Sequence, residues 1–118
     1  MREILFRGKR LDNGEWVEGF FVNLWMVHRK AYDPLITDAH TGHSYDVDPD
    51  TVGQYTGLKD QNGKRIFEGD VVAYRGRMEA VKYYGGGFSP FAIPGWECTP
   101  ESFEVETVGN IYDTPGWR

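Results

Sequence analysis

Turn signals interrupt this sequence at short intervals and limit it to short extended segments. Asn13-Gly14 and Asn62-Gly63 each stand between runs of β-forming residues, and the Asn-Gly pair supplies the positive φ angles of a tight hairpin. Glycine makes up 15 of the 118 residues, about twice the usual share of roughly 7%. Because glycine is spread along the whole chain, it favours turns over long helices. The sequence therefore predicts a mainly β protein with small antiparallel sheets.

The runs between these turns predict the individual strands. The run at 15–22 has apolar residues on both faces, so we expect it to lie centrally in its sheet. The segment 23–34 fits a helical face or an irregular strand, and the pattern leaves both open. Short helical turns are the most helix we expect, after the cap signal Thr99-Pro100-Glu101. The predicted strands are residues 3–6, 15–22, 35–37, 43–47, 51–56, 65–67, 71–74 and 77–84, and a final strand from Phe103 to Tyr112 with a bulge at Gly109.

Length and composition indicate a single folded domain over residues 1–118. The net charge of −5 argues against a broad nucleic-acid surface, because phosphate attraction needs surplus Lys and Arg. Cys98 is the sole cysteine, which excludes an internal disulfide and a zinc site of paired thiolates. The first ten residues are charged where a signal peptide is apolar, and no run approaches roughly 18 apolar residues. We expect a cytoplasmic protein without a membrane partner.

A divalent metal site is conceivable but disfavoured. His40 and His43 lie in a predicted turn, and a three-residue spacing brings ligands together only on a helix. The residues considered as ligands are His28, His40 and His43, with Asp38 and Asp46. We predict no metal site.

The stretch "DVDPD" resembles the start of a calcium loop through Asp46, Asp48 and Asp50. Such a loop needs glycine at its sixth position and glutamate at its twelfth. Thr51 and Gly57 stand there instead. The calcium hypothesis therefore fails.

No catalytic or cofactor-binding residue is predicted. Cys98 has no local base or orienting partner, so we interpret it as structural. Glu68 and Asp70 flank a glycine at the entry of a strand, where carboxylates commonly bind turn amides. The stretch 54–74 carries glycines like a phosphate loop, yet no helix pattern follows Gly69 to point backbone N–H groups at an anion. Its glycines are better explained as turn residues.

A candidate binding surface comes from aromatic residues interleaved with cations between residues 74 and 96. This combination suits a peptide or single-stranded nucleic acid. A core aromatic cluster rimmed by surface charge explains the same pattern more simply. The candidate residues are Tyr74, Arg75, Arg77, Lys82, Tyr83, Tyr84, Phe88 and Trp96.

Three blocks of the sequence carry a family resemblance. They are "REILFRGK" with Trp16 and Gly19 downstream, the long "DPDTVGQYTGLKDQNGKRIFEGDVV", and the closing "VGNIYD". Together they resemble the YopX family of small phage and prophage proteins, and the long middle block is the most specific. Residues 25–45 and 85–101 fall outside the match. The resemblance implies a mainly β fold with an SH3-like barrel element, phage or prophage origin and a bacterial host cytoplasm, and it assigns no role to any residue.

Two functions remain open. The first is a non-enzymatic accessory protein that binds protein, either another protein or itself as a homo-oligomer, because leftover sheet edges and aromatics are often buried against a second copy. The second is a nucleic-acid-binding module of SH3-like type, with Arg75, Arg77 and Lys82 contacting phosphates. An enzyme ranks third, since no nucleophile, metal set or cofactor loop stands out.

Overall fold

The computed structural model of the chain describes residues 4–27, 30–74, 76–84, 87–89 and 105–113. Within these residues it contains antiparallel β-strands and one short turn of 3-10 helix at Pro49–Thr51. Among the same residues there is no apolar helix of membrane-spanning length. The prediction of a mainly β protein with antiparallel sheets is confirmed. The helical turn expected after Thr99-Pro100-Glu101 lies outside the described residues.

The chain divides into two compact units, Met1–Gln54 and Tyr55–Arg118. The single domain predicted for residues 1–118 stays a prediction. Strands of the first unit are β1 (Phe6–Lys9), β2 (Trp16–Met26), β3 (Ala31–Asp38) and β4 (Ser44–Asp46), in the spatial order β4-β3-β2-β1. Strand β5 (Gly53–Lys59) follows, and its first two residues pair with Arg7 and Phe6 of β1.

The second unit holds shorter strands joined by tight turns. They are β6 (Arg65–Phe67), β7 (Asp70–Tyr74), β8 (Arg77–Ala80), β9 (Lys82–Tyr84), β10 (Gly87–Ser89) and β11 (Glu106–Asn110). Strand β7 lies between β8 and β11, β9 pairs with β10, and the later part of β5 pairs with β6. The pairings among the described residues give open sheets, so the SH3-like barrel element is not confirmed.

The first Asn-Gly turn is confirmed at Gly14, whose φ is 73°. Arg10 donates its N–H to the Glu15 carbonyl at 2.8 Å, and the loop therefore contains four residues. Lys9 pairs with Trp16, so the first strand lies next to this loop at Phe6–Lys9. The predicted position of this strand, residues 3–6, is wrong, because its pairing with β2 starts at Phe6 and continues up to the turn.

Strand β2 is central, as predicted, but it is longer than the predicted 15–22. It continues to Met26 and pairs with β3 from Gly19 opposite Asp38 to Met26 opposite Ala31. The open alternative for residues 23–34 is therefore resolved in favour of strand, because 23–26 and 31–34 pair with each other. His28 and Arg29 lie outside the described residues. Pro34 lies inside β3, where it can be accommodated because its nitrogen is not needed for pairing with β2.

The predicted strand 77–84 is divided at Val81. Residues 77–80 form β8 and pair with β7, whereas residues 82–84 form β9 and pair with β10. Val81 is buried, and its N–H donates to the Asp70 carbonyl at 2.7 Å. Phe88 lies in β10, which is not among the predicted strands. The final strand has its register shift between Thr107 and Gly109, which confirms the predicted bulge.

Each unit has its own apolar core. In the first unit Val17, Ile36 and Val47 are buried together. Phe6 and Phe21 pack against this cluster, with their ring centroids 5.5 Å apart. The core of the second unit contains Ile66, Val72, Val81 and Val105.

A buried carboxylate organises the second Asn-Gly turn. Asp60 accepts the N–H groups of Asn62 and Lys64 at 2.9 Å and that of Thr107 in β11 at 3.1 Å. Burial raises the pKa of Asp60, but these backbone hydrogen bonds outweigh it and hold the pKa below its usual value. The turn around Gly63, with φ of 80°, is thereby tied to the last strand. This supports the interpretation of its glycines as turn residues.

We predict that Asp60→Asn lowers the free energy of unfolding at pH 7 by roughly 1–3 kcal/mol, because an amide cannot replace all three accepted hydrogen bonds. The folded pKa lies below the unfolded value, so the contribution of Asp60 is complete above pH about 4 and is lost as the pH falls through the folded pKa. Urea unfolding monitored by Trp fluorescence at pH 7, 4 and 3 tests this. The exposed Asp12, changed to Asn, is the control and should alter stability little. Equal stability of wild type and Asp60→Asn would contradict the assignment.

Gly19 is required where β2 and β3 approach each other closely. A Cβ atom on Gly19 would overlap the carbonyl group of Thr37. We therefore expect Gly19→Ala to lower the free energy of unfolding by roughly 1–3 kcal/mol, as over-packing does. Chemical denaturation measures this effect. Met78→Ala, at an exposed position of β8, should change stability by less than about 0.5 kcal/mol. A neutral Gly19→Ala would show that the two strands can separate at this point.

Candidate functional site

The predicted binding surface falls on two separate strand pairs of the second unit. Tyr74 and Arg77 lie opposite each other at the end of the β7–β8 hairpin. Lys82 and Tyr83 pair with Ser89 and Phe88 in the β9–β10 ribbon, next to Tyr84. Arg75 and Trp96 lie outside the described residues. The other six residues lie on these two strand pairs. The predicted binding surface itself stays a prediction.

The two cations of this set that the structure describes are exposed. The Arg77 guanidinium lies 3.5 Å from the Glu79 carboxylate, and the two side chains are 66% and 45% exposed. Exposed ion pairs of this kind contribute little to stability. Lys82 is exposed on β9. Glu79 therefore places a negative charge beside Arg77, which would have to contact phosphate in a nucleic-acid surface.

A different surface is more distinctive, and it lies on the β2–β3 hairpin. Strand β1 pairs only with Trp16–Gly19 of β2, and β4 pairs only with residues 35–37 of β3. Beyond Gly19, β2 has no described strand on its β1 side, and from Asn23 to Met26 it forms a two-stranded ribbon with residues 31–34 of β3. We call residues 20–26 of β2 and 31–34 of β3 the strand arm.

Apolar side chains of the strand arm are exposed on both faces. Phe20 is 54%, Val22 39% and Trp25 51% exposed, and Val27 in the following turn is 75% exposed. Phe20 and Val22 share one face, whereas Trp25 has the opposite parity. Other large apolar side chains that are exposed in the described residues, such as Ile4 and Met78, lie singly on other elements. A cluster of this kind marks a contact surface more often than scattered residues do.

The strand arm also lacks charge on β2. The nine residues from Gly19 to Val27 contain no Asp, Glu, Lys or Arg, although 26% of the chain is charged. About two charged residues would be expected in nine. Charged side chains and prolines are what normally protect an exposed strand edge from pairing with another strand. This edge carries neither.

Hydrogen-bond direction identifies the exposed edge of β2. Val47 donates its N–H to the Pro34 carbonyl at 3.2 Å, so Pro34 faces β4 and not β2. Asn23 lies opposite Pro34, and this is therefore a non-hydrogen-bonded pair. The N–H and C=O groups of Asn23, and of Phe21 two residues earlier, consequently point away from β3. Gly19 points the same way and meets β1, but no described strand lies on that side beyond it.

The residues considered as metal ligands make ordinary turn contacts. Asp38 accepts the N–H groups of His40 at 2.8 Å and Thr41 at 3.2 Å. These hydrogen bonds lower the pKa of Asp38. In the described part of the chain, no three His, Cys, Asp or Glu residues are grouped so that they could hold a metal ion. His28 and Cys98 lie outside the described residues.

Two of the carboxylates considered for calcium or acid–base chemistry, Asp48 and Asp70, bind backbone amides. Asp48 caps the 3-10 turn by accepting the N–H of Asp50 at 3.0 Å. Asp70 is buried and accepts the N–H of Phe67 at 2.8 Å. The interpretation of Asp70 as a turn-amide acceptor is thus confirmed. Both contacts hold the backbone in place.

Sequence reasoning missed the strand arm, although a signal was present. No Asp, Glu, Lys or Arg occurs from Gly19 to Val27, and this stretch overlaps the segment 23–34, which periodicity does not assign. The alternation of cations and aromatic residues predicts a binding surface between residues 74 and 96 instead. Charge depletion on a strand that continues past its neighbour is the feature that would have identified the arm.

Comparison with known proteins supports the family assignment. No curated protein matches this chain. A solved structure, the crystal structure of protein EF1440 from Enterococcus faecalis, is similar with a TM-score of 0.62 and 22% sequence identity over 98% of each chain. At this identity the likeness concerns the fold alone. The family model described as YopX protein matches residues 5–117. This match covers nearly the whole chain, and the protein belongs to the YopX family.

Proposed function

We propose that this chain is a non-enzymatic accessory protein of phage or prophage type that works by protein binding, and that its partner is a second copy of itself. The observation that carries the proposal is the strand arm, which exposes Phe20, Val22 and Trp25 on a strand without charge. A soluble protein rarely leaves such a patch in water. Burial of these side chains against another chain is the favourable step that association would add.

Stability of the strand arm gives a second reason. A two-stranded ribbon is marginally stable in water and usually needs a further strand or a packed face. In the described residues, β2 has no strand on its β1 side beyond Gly19, and from Asn23 to Met26 the ribbon is two strands wide. Association with a second copy would supply the missing strand and cover apolar side chains on both faces.

A second copy fits better than a charged partner. The chain carries a net charge of −5, so two copies repel each other weakly over long distances, yet the β2 strand of the arm brings no charge into the contact. Charged rims usually give specificity for a different protein through complementary potentials. The uncharged β2 strand of the arm has no such means of selecting a partner, whereas identical surfaces match under two-fold symmetry.

Phe20→Lys tests this proposal. Phe20 is exposed, so the fold should tolerate the change, but a lysine there would remove about 1.5–3 kcal/mol of apolar burial in an assembly. The wild type should have a solution mass that is a multiple of 13.5 kDa, and the variant should dissociate about tenfold or more readily. Light scattering over a range of concentrations measures both.

Met78→Lys is the matched control, because Met78 is a similarly exposed apolar residue on β8. This variant should associate as the wild type does. A wild type that stays monomeric up to high concentration would sink the proposal. Association that is unchanged by Phe20→Lys would place the contact elsewhere on the protein.

The nucleic-acid-binding module stays a prediction. Its cations would be Arg75, Arg77 and Lys82, within the surface predicted between Tyr74 and Trp96. Salt separates this alternative from self-association, since phosphate contacts weaken steeply with ionic strength and an apolar interface does not. Cytoplasmic location likewise stays a prediction.

A further inference from the structure

We infer that two copies join through the exposed edges of their β2 strands, which run antiparallel about a two-fold axis at Asn23; this inference rests on the proposed self-association. The edge is the side of β2 that β1 occupies up to Gly19. Beyond Gly19 the backbone groups of Phe21 and Asn23 point to this side. A second β2 strand would accept and donate hydrogen bonds there as β1 does earlier in the strand.

The sequence of the strand arm is self-complementary about Asn23. In an antiparallel pair centred on this residue, residues whose numbers add to 46 face each other. Phe21 then lies opposite Trp25 of the second copy, which pairs two aromatic residues on one face. Phe20 lies opposite Met26 on the other face. Aromatic and apolar cross-strand pairs stabilise antiparallel sheets.

The chemistry at the axis is also compatible with this arrangement. Asn23 faces Asn23 of the second copy, and this position is exposed in the single chain. The two backbones exchange hydrogen bonds there, because the N–H and C=O of Asn23 point to the edge. Two neutral amides can lie side by side at that point without repulsion. Every other residue from Gly19 to Val27 is apolar or glycine.

The edge of β3 is a poorer candidate for the same contact. Pro34 lies on it and has no N–H to donate, and Asp33 adds a negative charge that a second copy would repeat. Lys30 precedes β3 in the turn. The β2 edge has no proline and no charge over nine residues. The comparison of the two edges favours β2.

Charges introduced at the axis test the inference. In the paired dimer, Asn23→Lys places two lysines opposite each other, and Asn23→Asp places two aspartates opposite each other. Like charges directly opposite destabilise a strand pair. Each variant alone should raise the dissociation constant about tenfold at low salt. An equimolar mixture of the two should restore association, because lysine then faces aspartate. Native mass spectrometry and sedimentation measure the populations.

Asn62→Lys and Asn62→Asp are the controls, because Asn62 is an exposed asparagine in the turn after β5. They should associate as the wild type does, alone or mixed. In the wild type, amide exchange at Phe21 and Asn23 should slow as the protein concentration rises. This second measurement needs no variant, so it decides the matter even if a variant unfolds.

The outcomes separate the inference from the proposed function. A wild type that associates, but with unchanged assembly in Asn23→Lys and no concentration-dependent protection, would overturn the β2 edge and leave self-association standing. Failure of the mixture to associate better than either variant alone would overturn the axis at Asn23. A wild type that is monomeric at all concentrations would overturn both. If a different protein bound the β2 edge, that protein and not a second copy would be the partner, and the inference would be overturned.

Discussion

Backbone pairing of β2 is the constraint on which the first unit depends. Hydrogen bonds of an antiparallel strand alternate between its two sides, so every second residue of β2 faces the β1 side. Up to Gly19 that side is occupied by β1, while β3 pairs with the other side as far as Met26. The length difference between β1 and β2 therefore decides which backbone groups are available for another strand.

The same constraint explains why the core and the strand arm differ. Where β2 has neighbours on both sides, Val17 is buried with Ile36 and Val47. Beyond Gly19, β2 has a described neighbouring strand on one side only, and its apolar side chains lack cross-strand neighbours on the other side. Phe20 and Trp25 are thus exposed because of where neighbouring strands end, and their residue types do not by themselves predict it.

In the second unit, buried carboxylates hold the backbone in place. Asp60 joins the turn after β5 to β11, and Asp70 holds the chain between β6 and β7. In both cases an acidic residue that could suggest chemistry accepts hydrogen bonds from backbone amides, which lowers the cost of burying its charge. The short strands of this unit need such contacts, because each strand buries few side chains.

Local sequence signals determined the β class, the turns at Gly14 and Gly63, the central place of β2 and the bulge before Gly109, because each depends on a residue's own conformational preferences or on its nearest neighbours. Tertiary structure decided the extension of β2 to Met26, the division at Val81 and the strand around Phe88, since those depend on which distant strand is available for pairing. The strand arm belongs to the second group. The type of an apolar residue does not show whether a neighbouring strand covers it or ends before reaching it.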